Sequence, residues 1–289
     1  MLAQAEIGVI GGSGFYAFLD DAEQHDIDTP YGAPSDPLVI GEVGGRRVAF
    51  VPRHGRDHRF PPHRINYRAN LWALHSVGVS RVIAPCAVGS LRRDVAPGSL
   101  VAVDQVLDRT SGRPSTFYDG PKVVHVPFAE PFCPAARAVA VSATGRHGFD
   151  VHDGGTLVVV QGPRFSSKAE SRSYAAAGAS VIGMTTHPEV ALARELALCF
   201  TTLALVTDYD VGVDGHDEPV TQDEVLRVFA EYTARLRSLL FEIIPALPSD
   251  RTCQCATALD GTEGRSALAA IAAGGAAGVV DAPDPDRLR

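Results

Sequence analysis

The chain has 289 residues, of which 45% are hydrophobic and 21% charged, and its net charge is −8. This length suits one large α/β domain or two ordinary ones, and the composition is that of a globular enzyme. The negative charge and the lack of a long basic run argue against a nucleic-acid partner. We expect a cytoplasmic protein without a membrane span, because the N-terminus lacks a signal-peptide pattern and no stretch approaches about 18 apolar residues.

Short runs rich in β-branched residues predict buried strands at residues 7–10, 47–52, 81–84, 100–107, 156–161, 181–183 and 200–207. Helical patterns lie between them, at residues 66–76, 134–147, 187–198 and 225–244. Pro188 suits the first position of the third helix, and Thr221 with Glu224 forms a capping-box pattern before the fourth. Strands alternating with helices predict an α/β fold, with a mixed, largely parallel twisted sheet flanked by helices.

The last part of the chain differs in composition. We predict a single domain over residues 1–247 and an extension over 248–289, partly disordered from about residue 262, where Ala, Gly, Asp and Pro dominate. The odd number of cysteines, five, favours a reducing compartment over a disulfide scaffold. Cys253 and Cys255 have no His or second cysteine pair near them in sequence. We interpret them as two thiols of a surface segment, with a redox pair or a metal site as alternatives.

Polar or glycine-rich residues follow six of the predicted strands, at 11–14, 53–55, 86–90, 162–166, 184–186 and 208–210. In open α/β sheets, ligands bind outside the carboxyl ends of the strands. We therefore expect the six clusters to converge on one cleft.

The first cluster, GGSG at residues 11–14, predicts a turn whose backbone N–H groups bind an anion, with the Ser13 hydroxyl as a further donor. A plain structural turn is one alternative. A dinucleotide-binding fingerprint is another, since Gly12, Gly14 and Ala17 fit the pattern G-x-G-x-x-A. It is disfavoured because residues 15–28 make a poor crossover helix and no second strand ends in an acidic residue about 20 positions on.

Arg53 and His54 directly follow a predicted strand. There the guanidinium could hold two phosphate oxygens, while a buried ion pair with a carboxylate is the alternative. His54 and His58 have the spacing of a metal pair only on a helix, and Pro61-Pro62 indicate a loop instead. We predict no metal at this cluster.

Asp208 and Asp210 end an apolar strand, and residues two apart on an extended chain face the same side. Two such carboxylates can address one edge of a ligand, and their repulsion raises one pKa and keeps that carboxyl protonated. An acid that donates to N7 of a purine makes the base a better leaving group. A solvated strand end and a divalent-metal pair are the alternatives.

Together these segments resemble the trimeric purine nucleoside phosphorylase family, and within it the methylthioadenosine phosphorylases. The matching segments run in the family's order from residue 7 to about residue 230 and include IGVIGGSGFY, RHGRDHRFPPHRINYRANLWAL, QGPRFSSKAES, IGMTTHPEVALARE and TDYD. The resemblance implies a pentosyltransferase that uses inorganic phosphate to split methylthioadenosine into adenine and 5-methylthioribose 1-phosphate. It further implies purine salvage, a homotrimer with active sites near subunit interfaces, and no metal or cofactor.

The family's motifs also imply roles for individual residues. Asp208 would donate to N7 as the catalytic acid, and Asp210 would accept from the exocyclic amine. The phosphate-binding residues would be Ser13, Arg53, His54, Cys86, Ala87 and Thr185. The remaining substrate-binding residues would be Phe165 and Met184 at base and ribose, and His58, Gln222, Val225 and a neighbouring subunit's His125 at the 5′ group.

The resemblance bears on specificity as well. Relatives that take 6-oxopurines place Asn where Asp210 stands, because Asn can donate to a carbonyl and a carboxylate cannot. Three positions depart from the methylthioadenosine pattern: Cys86 replaces a common Thr, Gly183 an Asn, and Gln222 an apolar residue near the 5′ pocket. Because Gln222 can hydrogen-bond a 5′-hydroxyl, a broader enzyme acting on adenosine or 5′-deoxyadenosine is the main alternative, and a 6-oxopurine phosphorylase a weaker one.

Three other classes remain open from the sequence. A nucleosidase would use water in place of phosphate, but it would not need the glycine turn and Arg53-His54 together. An NAD-dependent dehydrogenase rests only on Gly12-x-Gly14. A purine-binding module without catalysis is the third.

Overall fold

The computed structural model describes residues 4–12, 19, 22–212, 215 and 218–274. The strands within these residues are β1 Ile7–Gly11, β2 Glu23–His25, β3 Leu38–Val43, β4 Arg46–Pro52, β5 Arg81–Ile83, β6 Cys86–Ser90, β7 Leu100–Ala102, β8 Gln105–Arg109, β9 Val151–Asp153, β10 Thr156–Val160, β11 Val181–Gly183, β12 Cys199–Thr201 and β13 Leu203–Tyr209. The helices are α1 Tyr67–Ser76, α2 Pro134–Thr144, α3 Lys168–Ala176, α4 Thr186–Glu195, α5 Gln222–Ala246 and α6 Gly264–Ala272.

The strands form two mixed sheets, with the orders β12-β5-β1-β4-β3-β2 and β8-β10-β11-β6-β13-β7-β9. Among the described strands, seven of the eleven pairings are parallel. The α/β fold with mixed, largely parallel sheets is confirmed, with the strands divided between two sheets where we expected one.

Alternate residues of the first sheet serve two different cores. In β1, Ile10 packs in a cluster with Trp72 of α1 and Leu192 of α4, whereas Val9 packs with Leu240 of α5 and Ala140 of α2. Because side chains alternate across a strand, β1 needs apolar residues on both faces. This explains why its sequence is an unbroken apolar run. No helix among the described residues is long and apolar enough to cross a membrane.

Most predicted elements are found close to their expected bounds, but two long strands were wrong. Residues 100–107 form β7 and the start of β8, which pair with different neighbours. Residues 200–207 divide at Thr202 between β12 and β13, which belong to different sheets. The 86–90 segment, interpreted as a polar cluster after a strand, is itself strand β6, with alternate residues buried.

Side-chain caps and a glycine mark the ends of several helices, among them the predicted cap at Thr221. Asn66 accepts from the backbone N–H of Ala69 at the start of α1, and Thr221 accepts from that of Glu224 at the start of α5. Gly148 ends the α2 segment with φ 66°, a conformation that glycine adopts without strain. The helix predicted from residue 187 begins one residue earlier, at Thr186, and His187 interrupts its first turn with non-helical φ and ψ.

The C-terminal segment bears on two predictions. Within the tail expected to be partly disordered from about residue 262, Gly264–Ala272 forms α6, whose Leu268 and Ile271 lie in the core. Residues 275–289 lie outside the described residues. The Cys-x-Cys pair is not a surface pair, because Cys255 is buried and Cys253 half-buried.

Candidate active site

One cavity of about 410 Å³ lies at the carboxyl ends of the strands, a volume typical of small-molecule sites. Each of the six strand-end clusters contributes to its lining, so the expected convergence is confirmed. Of the residues singled out from the sequence, those that line it are Arg53, His54, His58, Cys86, Ala87, Phe165, Met184, Thr185, Asp208, Asp210, Gln222 and Val225. Ser13 lies outside the described residues, and His125 is exposed and does not line the cavity.

Asp208, the last residue but one of strand β13, is a buried acid, only 6% exposed. Burial raises the pKa of Asp208 from its ordinary value of 3.8 to about 7, while the Thr207 hydroxyl lowers it and the charge of Asp210 raises it. The desolvation cost falls on the carboxylate, so the protonated form is favoured in the folded protein. Near neutral pH, Asp208 can therefore donate a proton to a ligand.

The two oxygens of the Asp208 carboxyl have different surroundings. The Thr207 hydroxyl donates to Oδ2 at 2.7 Å. Oδ1 lies over Gly89, where an added Cβ would come within 2.9 Å of it. Because Oδ2 already accepts a hydrogen bond, the proton of the neutral acid is directed to Oδ1. Thr207 thus positions the acidic proton, and Gly89 leaves the room that Oδ1 needs.

We expect Thr207→Val to change the pH profile of activity as well as the rate. Losing the hydroxyl removes a hydrogen bond that lowers the pKa of Asp208, so the pKa rises further. An acid acts while protonated, so the alkaline limb of kcat/KM, expected near pH 7 in the native protein, should move to higher pH. Since phosphate titrates in the same range, variant and native protein are compared pH by pH.

Thr202→Val is the matched control, because the Thr202 hydroxyl is buried without a hydrogen-bond partner among the described residues. The alkaline limb of kcat/KM for Thr202→Val should stay at the pH of the native protein. A Thr207→Val profile that coincides with the native one at every pH would contradict the positioning role.

Asp210 lies deeper than a strand-end residue would be expected to, at 3% exposure. The hydroxyl of Ser171, a fully buried residue of α3, donates to its Oδ2 at 2.6 Å. The Asp210 backbone N–H donates to the carbonyl of Ser90 on β6. These contacts fix the second carboxyl beside Asp208, and both line the same end of the cavity.

Of the two alternatives for the Arg53 guanidinium, the structure shows the buried ion pair. The fork pairs with Glu189 of α4, with Nε 2.6 Å from Oε1 and Nη2 3.1 Å from Oε2. Nη2 also donates to the carbonyl of Ile10, and Nη1 donates to that of Pro85. Four of the five N–H groups of an arginine are thus in use. Among the described residues, one N–H of Nη1 has no acceptor and can donate to an anion, and an added Cβ on Gly12 would lie 3.9 Å from this nitrogen.

His54 is held as a neutral ring. Its Nδ1 lies 2.8 Å from the carbonyl of Phe60, which can only accept, so Nδ1 carries the proton. Burial lowers the pKa of His54 to about 4. The remaining nitrogen, Nε2, is then an acceptor, which suits a protonated oxygen of phosphate. The ring stacks on that of His58, with 4.4 Å between the ring centroids.

The start of α4 borders the cavity beside Arg53. Thr185 is the N-cap residue of this helix, and it is buried and lines the cavity. Because His187 interrupts the first turn of α4, the backbone N–H groups near Thr185 belong to a turn ahead of the regular helix, and such N–H groups can donate to an anion. Cys86 lies on the same side, with its Sγ 3.9 Å from Oγ1 of Thr186. Burial raises the pKa of the Cys86 thiol to about 11, so it is a neutral group there.

Met184 and Phe165 also line the cavity. The buried Arg113 holds the Met184 carbonyl at 2.8 Å and that of Gln161 at 2.7 Å, tying together the segments that follow β11 and β10. Phe165 is 36% exposed despite its size. An aromatic ring left partly open at a cavity is a suitable surface for a planar base.

The first turns of α5 close the other side of the cavity. Gln222, Val225, Leu226 and Phe229 all line it, and their spacing puts them on one face of the helix. Leu226 is 41% exposed. Three of these four side chains are apolar, so this edge is suited to an apolar substituent.

Sequence reasoning missed four residues that support the site, namely Arg113, Ser171, Glu189 and Thr207. Each acts through another residue: Glu189 pairs with Arg53, which is 136 positions away in the chain. A local signal existed only for Thr207, which directly precedes Asp208. The other three are identified by contacts between distant elements.

Comparison with known proteins gives a consistent result. The phosphorylase superfamily model matches residues 6–245. A purine nucleoside phosphorylase of Streptomyces coelicolor is 58% identical over 92% of this chain and 98% of its own. An S-methyl-5′-thioadenosine phosphorylase of Thermofilum pendens is 51% identical over 90% and 98% of the two chains. The structure of a methylthioadenosine phosphorylase from Schistosoma mansoni in complex with adenine is 34% identical, with a TM-score of 0.82 over 93% of this chain and 98% of that one. The chain therefore belongs to the phosphorylase superfamily.

Proposed function

We propose that this protein is a nucleoside phosphorylase that cleaves S-methyl-5′-thioadenosine with inorganic phosphate, giving adenine and 5-methylthioribose 1-phosphate. The observation that carries the proposal is one cavity with two buried carboxyls at one end and Arg53, His54 and Thr185 at the other. A purine base leaves more readily when an acid donates to its N7, and a bound phosphate needs hydrogen-bond donors around its oxygens. The apolar residues that line the cavity suit a sugar and a base.

At the phosphate end, the free N–H of Arg53, the Thr185 N-cap and the start of α4 would hold the anion, with Cys86 and Ala87 beside it. By resemblance to the family, Ser13 would be a further residue that binds the phosphate. His54 would accept from a protonated phosphate oxygen. The reaction needs no metal or cofactor, because the nucleophile is phosphate itself. Its negative charge also stabilises the positive charge that develops on the ribose in the transition state.

At the base end, Asp208 would donate from Oδ1 to N7 as the glycosidic bond breaks, and Asp210 would accept from the 6-amino group. Phe165 would stack on the purine, and Met184 would border the ribose. His58, Gln222 and Val225 would border the 5′ group. The apolar residues of α5 favour a methylthio group there, and Gln222 at the same edge keeps adenosine and 5′-deoxyadenosine as alternative substrates.

The names of the relatives differ in the substrate they specify, so a substrate panel is the test of this proposal. Base release from methylthioadenosine, adenosine and inosine is measured side by side with phosphate present. We expect kcat/KM to fall in that order. Comparable turnover of inosine would overturn the 6-aminopurine assignment, and faster cleavage of adenosine would replace methylthioadenosine by the broader alternative.

The variant Asp210→Asn is assayed with the same three nucleosides. An amide can donate to a 6-oxo group, whereas the carboxylate only accepts. The preference for adenosine over inosine should therefore fall by about tenfold to a hundredfold, the worth of one hydrogen bond to a charged group. Asp94→Asn, at an exposed acid of an ion pair with Arg92, is the control. An unchanged preference in the Asp210 variant would contradict the role of Asp210.

We further propose a cytoplasmic homotrimer in which His125 reaches the site of a neighbouring subunit. His125 lies on an exposed segment that also carries Val123, 75% exposed, and Phe128, 37% exposed. Two large apolar side chains in one exposed segment are typical of a surface covered by another chain. The solution mass from light scattering checks the trimer.

A further inference from the structure

Four of the five cysteines come together away from the active site. Sγ atoms of Cys133, Cys199, Cys253 and Cys255 all lie within 4.8 Å of one another. Cys133 precedes α2, Cys199 begins β12, and the other two flank the start of the 3₁₀ turn Gln254–Thr257. None of the four lines the active-site cavity. The fold therefore supplies the second cysteine pair that the sequence did not show near Cys253 and Cys255.

The arrangement is that of a tetrahedral site and not of two separate pairs. The Cys253 sulfur lies 3.7 Å from that of Cys133 and 3.3 Å from that of Cys199. The other four pairs of sulfurs are separated by no more than 4.8 Å. In a tetrahedral zinc site with Zn–S bonds of about 2.3 Å, the sulfurs stand about 3.8 Å apart. The two measured distances are close to that spacing, and no pair is singled out as a disulfide partner.

Two arginines lie near the cysteines, Arg194 in space and Arg251 in the sequence. The positive charge of Arg194, which is 5% exposed, acts on Cys255. The guanidinium of Arg251, two residues before Cys253, donates to the carbonyl of Ala197, two residues before Cys199.

Both arginines also have an unused donor. Nε of Arg194 and Nε of Arg251 are buried without a hydrogen-bond partner among the described residues. Four thiolates around a divalent ion carry a net charge of −2, and the Arg194 guanidinium acts on Cys255 to offset part of it. A buried guanidinium N–H without an acceptor indicates that negative charge belongs in this region.

We propose that Cys133, Cys199, Cys253 and Cys255 bind one Zn²⁺ as a closed, four-thiolate structural site. Four soft sulfur ligands in a tetrahedron select Zn²⁺ among common divalent ions, and a closed site leaves no position for substrate. The ion fastens the segment that follows α5 to α2 and β12, so it stabilises the fold and takes no part in phosphorolysis. Binding replaces four thiol protons by one Zn²⁺, with no change of oxidation state.

The first test measures metal in the full chain. The protein is purified with a thiol reductant, loaded with Zn²⁺ and gel-filtered. We expect about one Zn²⁺ per native chain, and a loss of most of it in Cys253→Ser. Cys86→Ser is the matched control for metal content, because Cys86 is a buried cysteine outside the cluster. Native protein that retains no Zn²⁺, or whose four thiols are found as two disulfides under the same reducing conditions, overturns the proposal.

The second test does not depend on a variant that folds. Co²⁺ added to the metal-free native protein should give the strong visible bands of a tetrahedral four-thiolate centre. Zn²⁺ should then displace it and raise Tm by roughly 4 °C or more. Weak bands typical of octahedral Co²⁺, or a Tm that Zn²⁺ does not change, would contradict the site even if some metal is retained.

Discussion

Asp208→Ala should lower kcat/KM for phosphorolysis by about 10²–10⁴-fold, the usual contribution of a general acid. The variant removes the proton donor at the purine end of the cavity, while Asp210, Phe165 and the phosphate residues stay in place. Steady-state base release, measured near pH 7 with saturating phosphate, gives the value. Asp223→Ala, at an exposed residue in the first turn of α5, is the control and should retain activity. Activity of Asp208→Ala within threefold of native would refute the acid role.

Asp208→Asn separates catalysis from stability. An amide still donates a hydrogen bond, so this variant should keep more activity than the alanine variant. Burial raises the pKa of Asp208 above its ordinary value of 3.8 to about 7. The stability that its neutral form contributes is thus fully present below about pH 4 and is lost as the pH rises through about 7. Between pH 5 and 8 the Tm of native protein should fall relative to that of Asp208→Asn, and parallel Tm curves would contradict the raised pKa.

Glu189→Gln should lower the free energy of unfolding by about 3–5 kcal/mol, because removing one partner of a buried ion pair leaves the other charge uncompensated. Glu189 is 1% exposed, and so is Arg53. Burial raises the pKa of Glu189 and the Arg53 guanidinium opposes that rise, so the carboxylate depends on its partner. Glutamine keeps the shape of the side chain and one acceptor. The loss is therefore due to charge, and urea unfolding at pH 7 measures it.

The control for this variant is Glu170→Gln. Glu170 pairs with Arg164, whose side chain is 71% exposed, and an exposed pair contributes about 0–1 kcal/mol. Glutamine also preserves the capping box at the start of α3. Because Arg53 would lose its anchor, the KM for phosphate should rise in Glu189→Gln and not in Glu170→Gln. Equal, small losses of stability in both variants would contradict the importance of the buried pair.

The sequence predicts well those structural features that depend on residues close together in the chain. The buried apolar run of β1 and the Thr221 cap of α5 depend on neighbouring residues, and both are found as predicted. The cleft at the strand ends was predictable for a similar reason, because polar residues after apolar runs mark the carboxyl edge of a parallel sheet.

The remaining features depend on contacts between distant parts of the chain. The run at 100–107 has the sequence pattern of a single strand. Its two halves pair with different strands, β7 with β13 and β8 with β10, which the sequence alone does not show. The fork of Arg53 is equally compatible with phosphate and with a carboxylate, and only the fold brings Glu189 to it. Helix α6 is too rich in small residues to stand out from a flexible tail. Cys133 and Cys199 approach Cys253 across a separation of at least 54 residues, which no local motif encodes.

The most direct test of the central claim is the dependence of base release on phosphate. Adenine formation from methylthioadenosine is followed as phosphate is raised from zero, with ³¹P NMR of the sugar product. We expect no release above background without phosphate, saturation as phosphate rises, and one 5-methylthioribose 1-phosphate for each adenine. Release at an unchanged rate in phosphate-free buffer, with free methylthioribose as product, would make the protein a hydrolase and contradict phosphorolysis.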